Sequence, residues 1–138
     1  MSAAVRYLSK SGNTKKVAEA IAEAIGAQAK PIPAAIGEEV DLPFLGGAIY
    51  GFGIDESLKA YIATLPSTIQ RVAIFSTTAV VPSAYPHMST LLEKRGLNVC
   101  KDEFHCWGKF SFTHKGRPND DDLEDAATFA RRVAHDRT

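Results

Sequence analysis

Cysteine is scarce in this chain of 138 residues, a net charge is missing, and no apolar run is long. The two cysteines, Cys100 and Cys106, fall within one strand-like run, which sets their Cα atoms roughly 20 Å apart at the strand rise. That span excludes a disulfide between them. Without a Cys-x-x-Cys pair, neither a zinc site nor a dithiol motif has support. The 16 basic and 16 acidic residues cancel, so there is no electrostatic footprint for nucleic acid. No stretch approaches the ~20 apolar residues that span a bilayer, and Met1 to Lys10 holds no signal-peptide core. A cytoplasmic monomer with neither nucleic-acid nor membrane partners is expected.

Catalytic constellations are missing too. His87, His105, His114 and His135 show no ligand spacing, and no Ser-His-Asp or paired-carboxylate arrangement stands out. Asp120, Asp121 and Asp122 suit the start of a helix, where acids meet the positive end of the dipole, better than a magnesium site. No catalytic residue and no metal ligand is therefore expected. With 45% hydrophobic and 23% charged residues, the composition is that of an ordinary globular domain. There is no internal repeat or linker, so residues 1–138 read as one domain with one core.

What the chain does have is concentrated first in Leu8 to Thr14, Leu-Ser-Lys-Ser-Gly-Asn-Thr, between an apolar run (Ala3, Ala4, Val5, Tyr7, Leu8) and a helical pattern. A strand that feeds a helix through hydroxyls, Gly and Asn gathers backbone N–H groups at a helix N-terminus, which is an anion site. Ser9, Ser11 and Thr14 add hydroxyl donors, and Gly12 lets the backbone come close. The same residues would also suit a plain strand-to-helix turn.

Beyond the loop, Val17, Ala18, Ile21, Ala22 and Ile25 recur at helical spacing, and Gly26 ends the helix. Ala29 to Pro33 is a short, proline-flanked edge-strand candidate. Leu42 to Ile49 is a near-continuous apolar run, the mark of a strand covered on both faces. Asp55 should cap a helix carrying Leu58, Tyr61, Ile62 and Leu65. Val72 to Phe75 reads as a buried strand followed by the hydroxyl loop Ser76-Thr77-Thr78, and Ser83 should cap the next helix, which Gly96 closes. Leu97 to Cys106 is the last strand-like run. Trp107 to Asn119 is a long loop, and a helix with Leu123, Ala126, Ala127, Ala130 and Val133 on one side ends the chain. Arg6, a charge in the expected central strand, calls for a buried partner, and an ion pair is expected. Alternating strands and helices predict an α/β three-layer sandwich around a parallel sheet.

Ser9-x-Ser11-Gly12-Asn13-Thr14 after an N-terminal strand resembles the phosphate loop of the flavodoxin family. Leu45-Gly46-Gly47-Ala48-Ile49-Tyr50-Gly51 resembles the segment in which a flavodoxin strand ends in an aromatic-Gly pair beside the flavin ring. The resemblance covers nearly the whole chain. It implies a five-stranded parallel sheet of order 2-1-3-4-5, the order of flavodoxin itself, with the ligand at the carboxyl ends of the strands.

The cofactor implied is flavin mononucleotide (FMN). Its implied binding residues are Ser9, Lys10, Ser11, Gly12, Asn13 and Thr14 for the phosphate. Tyr50, Gly51, Phe52 and Gly53, then Ser76, Thr77, Thr78 and Ala79, and finally Trp107 and Gly108 would meet the ribityl chain and the ring. By the same resemblance, the Gly51 carbonyl would accept a hydrogen bond from the reduced flavin, a turn of the peptide that glycine permits. Trp107 either flanks the ring or packs the last loop. Phe110 and Phe112 read as anchors of that loop, and Cys106 reads as a buried filler. The function implied is electron transfer between a reductase and an acceptor protein. The alternative is an FMN-dependent reductase of quinones or similar small acceptors, which the neutral charge and the long last loop favour. Lys109, His114, Lys115 and Arg117 form a cation cluster that suits either a solvated face or the attraction of an acidic partner or phosphorylated nucleotide.

Overall fold

The structure is a computed structural model that describes residues 2–49, 53–78, 83–109, 114 and 116–136. Five strands, β1 (Ala3–Tyr7), β2 (Ala29–Pro31), β3 (Leu42–Ala48), β4 (Ala73–Thr78) and β5 (Phe104–Trp107), form one sheet in the order β2-β1-β3-β4-β5. Every pairing in it is parallel. The helices are α1 (Asn13–Ile25), α2 (Glu56–Ala63), α3 (Tyr85–Lys94) and α4 (Asp120–His135). The expected architecture and strand order are both present.

Each face of the sheet has its own core. Val5, Tyr7, Leu42, Phe44 and Phe75 point to one side, where they meet Val17, Ala18 and Ile21 of α1 and Ala126, Phe129 and Val133 of α4. Leu45 and Ile74 point to the other, against Leu58 and Ile62 of α2 and Met88 and Leu92 of α3. This alternation explains why β3 reads as a continuous apolar run, since all seven of its residues are buried. Burying each large aliphatic side chain stabilises the fold by about 1.5–3 kcal/mol, so both helical layers are held firmly.

The two glycines in β3 make room for neighbours. A Cβ at Gly46 would lie 2.0 Å from Phe75 Cε2, because the Phe75 ring on the adjacent strand covers that position. At Gly47 the nearest atom would be Leu58 Cδ2 at 2.6 Å.

Four local expectations need correction. Ser76-Thr77-Thr78 is not a loop, because β4 runs on through Thr78 and these buried residues pair with β5. The last strand is Phe104–Trp107 rather than the whole of Leu97 to Cys106. Leu97 is instead a core residue, Val99 makes a single bridge to Val72, and the exposed Lys101 and Asp102 separate them from β5. Ser83 is not the N-cap of α3, a position that Ala84 occupies. The Ser83 hydroxyl still accepts the Tyr85 N–H at 3.0 Å, and Ser76 Oγ accepts the Ala84 N–H at 3.1 Å. Arg6 has no carboxylate among its described partners. Its guanidinium donates to the carbonyls of Ala34 (3.1 Å), Val5 (3.0 Å) and Ala35 (2.8 Å), while the Tyr61 hydroxyl donates to the same Ala34 oxygen at 2.6 Å. The buried charge is thus spread over backbone dipoles and pins the connection between β2 and β3.

Candidate functional site

Leu8 leaves β1 at the carboxyl edge of the sheet, where its N–H donates to the Gly46 carbonyl at 3.1 Å. The chain then turns through Ser9 to Gly12 into α1. Gly12 sits in the left-handed region (φ 89°), and a Cβ there would meet nothing within 4 Å, so the space beside the turn is open. Gly12 N–H donates to Ser9 Oγ at 3.0 Å, and the helix begins with Lys16 N–H donating to the Gly12 carbonyl at 3.2 Å.

The amino end of α1 differs from those of α2 and α4. Asp55 caps α2 by accepting the Ser57 N–H, and Asn119 and Asp122 form a reciprocal capping box on α4. Helix α1 has no side-chain cap and no acid in its first turn. Its first-turn N–H groups lack the usual side-chain acceptor, and the dipole leaves about half a positive charge there. Asn13 and Thr14 are nevertheless buried.

Neighbouring segments are tied to this turn. Thr14 Oγ1 and Thr77 Oγ1 share a buried hydrogen bond of 2.7 Å, joining α1 to β4. Asn13 Nδ2 donates to Ser11 Oγ at 2.9 Å and to the Lys109 carbonyl at 2.7 Å, joining α1 to the segment after β5. Gly108 N–H donates to the Thr78 carbonyl at 3.0 Å. Lys10 reaches across to Asp55 with a 2.6 Å ion pair, fastening the first loop to the start of α2. The Lys10 ammonium, then the Ser57 hydroxyl and amide, hold the Asp55 carboxyl well below the usual carboxylate range.

The structure therefore brings Ser9, Lys10, Ser11, Gly12, Asn13, Thr14, Thr77, Thr78, Trp107 and Gly108 to one edge of the sheet. Gly53, half-buried, lies just before α2. Ser76 is different, since its hydroxyl is engaged in holding the start of α3 and the residue is fully buried inside β4. Tyr50, Gly51, Phe52 and Ala79 lie outside the described residues, as do Phe110, Phe112 and Lys115 of the last loop. The Trp107 indole carries the His114 imidazole on one face, stacked at 4.4 Å and within 7° of parallel. Cys106 is buried in the α1–α4 core, where burial, and then the Asp122 charge, push its thiol up to about 12. That fits a filler and not a nucleophile.

Sequence reasoning missed the Lys10–Asp55 pair and the pairing of Arg117 with Asp122. In the latter, Arg117 Nε and a terminal nitrogen donate to the two carboxylate oxygens at 2.6 and 2.7 Å. Burial pushes the Asp122 carboxyl up, but Arg117 and the Asn119 N–H outweigh it and leave the group below its ordinary value. Their five-residue spacing across Pro118 was the only available signal. Among the described residues there is no cluster of three potential metal-binding side chains, and no helix is long and apolar enough to cross a membrane.

No protein-family model matches the chain. An uncharacterised protein of Methanocaldococcus jannaschii is 26% identical over 139 residues, covering 88% of this chain and 89% of that protein. Among solved structures, a flavodoxin from the domain Archaea aligns with a TM-score of 0.72 at 23% identity, covering 97% of this chain and 96% of the other. Flavodoxin 1 of Bacillus cereus aligns with a TM-score of 0.72 at 21% identity, covering 99% and 100%. The rubredoxin:oxygen oxidoreductase of Desulfovibrio gigas aligns with a TM-score of 0.74 at 16% identity, where this chain corresponds to 35% of that protein. Strand order, crossover pattern and end-to-end alignment agree, and the chain has the flavodoxin-like fold.

Proposed function

We propose that this chain binds FMN at the carboxyl edge of its sheet and carries electrons between a reductase and an acceptor protein. The observation that carries the reading is the uncapped amino end of α1, with no acid in its first turn, behind the open Gly12 turn. These residues fit a phosphate: backbone N–H groups and the Ser11 hydroxyl can donate to it, and the left-handed glycine leaves room for its oxygens. The proteins named as flavodoxins that share the fold support the choice of FMN over another phosphorylated ligand.

Ser9, Ser11, Gly12, Asn13 and Thr14 would hold the phosphate. Thr77, Thr78, Trp107 and Gly108 would flank the rest of the cofactor, with Tyr50, Gly51, Phe52, Gly53 and Ala79 completing the site. When bound, FMN supplies the redox chemistry, and the protein supplies orientation and access. The Thr14–Thr77 hydrogen bond and the Asn13–Lys109 contact keep the phosphate end rigid, which lowers the ordering cost of binding. The Lys10–Asp55 pair turns the Lys10 charge toward α2, so backbone dipoles rather than that ammonium would neutralise the phosphate.

The test is reconstitution with FMN, followed by stepwise anaerobic reduction monitored by absorbance. One-electron steps separated in potential are expected for a carrier. Reduction by two electrons at a single potential, with nicotinamide-dependent turnover and no added reductase, would replace the carrier by the small-acceptor reductase. Absence of FMN binding would remove both.

A further inference from the structure

The first loop has a second side. Lys10 leans toward α2, but α1 and α4 pack together on the opposite face of the sheet. There, between the amino ends of these two helices, lies a cavity of about 660 Å³. Its walls include Ser11, Asn13, Lys16, Lys109, Gly116 and Arg117, with no carboxylate among the lining residues. Asp122 sits behind Arg117 and neutralises it. Among the described residues, the Lys16 and Lys109 ammonium groups have no ion-pair or hydrogen-bond partner. In a chain of zero net charge, two uncompensated cations facing one concavity are a local concentration of positive potential.

The wall that carries these charges is tied down. The Lys109 N–H donates to the Arg117 carbonyl at 2.9 Å, and the Arg117 N–H to the His114 carbonyl at 3.1 Å. Asn13 holds the Lys109 carbonyl, and Asp122 holds the Arg117 guanidinium at both ends. Lys109 and Arg117, two members of the cation cluster that the sequence shows around residues 109–117, join Lys16 around a pocket.

We propose that this cavity, which borders the FMN phosphate position at Ser11 and Asn13, is a second anion subsite that takes the diphosphate group of a small molecule. Lysines act as point charges toward phosphate oxygens. The volume lies within the range of small-ligand pockets and has room for two linked phosphates. A concave site suits a small anion better than the convex acidic face of a protein. The cavity's lysines, not the N–H groups of α1, supply its charge, whether or not FMN occupies the first loop.

The test is calorimetric titration of apoprotein and FMN-loaded protein with sodium pyrophosphate and with ADP, against sodium chloride of matched ionic strength. Pyrophosphate should bind both forms, and the double variant Lys16→Gln/Lys109→Gln should weaken it by about tenfold or more. Both lysines are exposed, and the variant's melting curve checks that it is folded. Tighter binding of ADP than of pyrophosphate would assign the group to a nucleotide. Equal binding would mean that the diphosphate alone is read. Displacement of pyrophosphate in proportion to bound FMN would place the anion at the flavin phosphate position and overturn the proposal. Binding no stronger than chloride, or unchanged in the double variant, would overturn it as well. A protein that takes no FMN at all would still give a decisive answer in the apoprotein titration.

Discussion

Replacing Gly46 with alanine sets a methyl group against the face of the core that holds Phe75. The new Cβ would stand 2.0 Å from Cε2, 2.2 Å from Cζ and 2.6 Å from Cδ2 of that ring, all far inside ordinary contact. The ring must retreat by well over an ångström. It cannot do so cheaply, because Phe75 is fully buried in the core where Phe44 and Phe129 already meet edge to face at 5.9 Å. Overpacking of this kind costs about 1–3 kcal/mol, and loss of glycine's unfolded-state freedom returns about 0.4–1 kcal/mol. Gly46→Ala should therefore destabilise by about 1–2 kcal/mol, a fall in Tm of about 3–7 °C for a domain of this size.

Gly47→Ala is the internal control. Its Cβ would meet only the tip of Leu58 at 2.6 Å, and then Met88 Sδ at 3.8 Å. A terminal methyl can move by a rotamer adjustment costing about 0.5–1.5 kcal/mol, so the net effect should be about 0.5 kcal/mol. Urea unfolding followed by far-ultraviolet circular dichroism measures both. Adding Phe75→Leu to Gly46→Ala should recover part of the loss, giving a coupling of about 1 kcal/mol in the double-mutant cycle. Gly46→Ala within about 0.5 kcal/mol of the parent protein, or more stable than Gly47→Ala, would refute the packing argument.

Other perturbations test other elements. Arg6→Met removes the donors that hold Ala34 and Ala35 and should destabilise by about 2–3 kcal/mol, the range for hydrogen bonds to a charged group; chemical denaturation reads it. Because Asp55 titrates below a free aspartate, its contribution is present above about pH 4 and lost as the pH falls through the folded-state value. Asp55→Asn keeps a helix cap but should flatten that acid limb in a plot of Tm against pH. Cys106 behaves oppositely: its folded thiol stays protonated to about 12, so stability should decline as pH rises past the unfolded value of about 8.5. Iodoacetamide followed by mass spectrometry should label Cys106 only in denaturant. Asn119→Ala removes the cap of α4 and should cost about 1 kcal/mol, read from thermal melts.

Strand and helix positions were legible because each depends on local signals, whereas the strand order, a matter of long-range pairing, came from the family resemblance. The apolar stripe of α1, Gly26 in the left-handed region and Asp55 at a helix start all follow from residues close in sequence. The acidic run at Asp120 proved to open a helix for the same reason. Contacts between distant residues were not legible. Lys10 and Asp55 are both ordinary surface types, and only the folding of β1 beside β3 brings them within 2.6 Å. Arg6 found carbonyls and no acid, a partnership that leaves no mark in side-chain sequence. The last strand was read too long because Leu97 and Val99 are apolar for reasons of packing outside the regular ladder. Of the turn before α1, the residue types were readable; the missing cap was not, since it depends on where Ser9 and Ser11 actually point.

Thr14 and Thr77 face one another across 2.7 Å with either oxygen able to donate. Two hydroxyls sharing one contact have two proton arrangements, and in each the hydroxyl that accepts has its own proton to aim elsewhere. An anion beside Thr14 selects the arrangement in which Thr77 donates to Thr14 and Thr14 turns its proton outward. The polarity of the pair would then register occupancy of the turn and pass it to the end of β4 by a reorientation of hydrogens alone, with every heavy atom left where it stands.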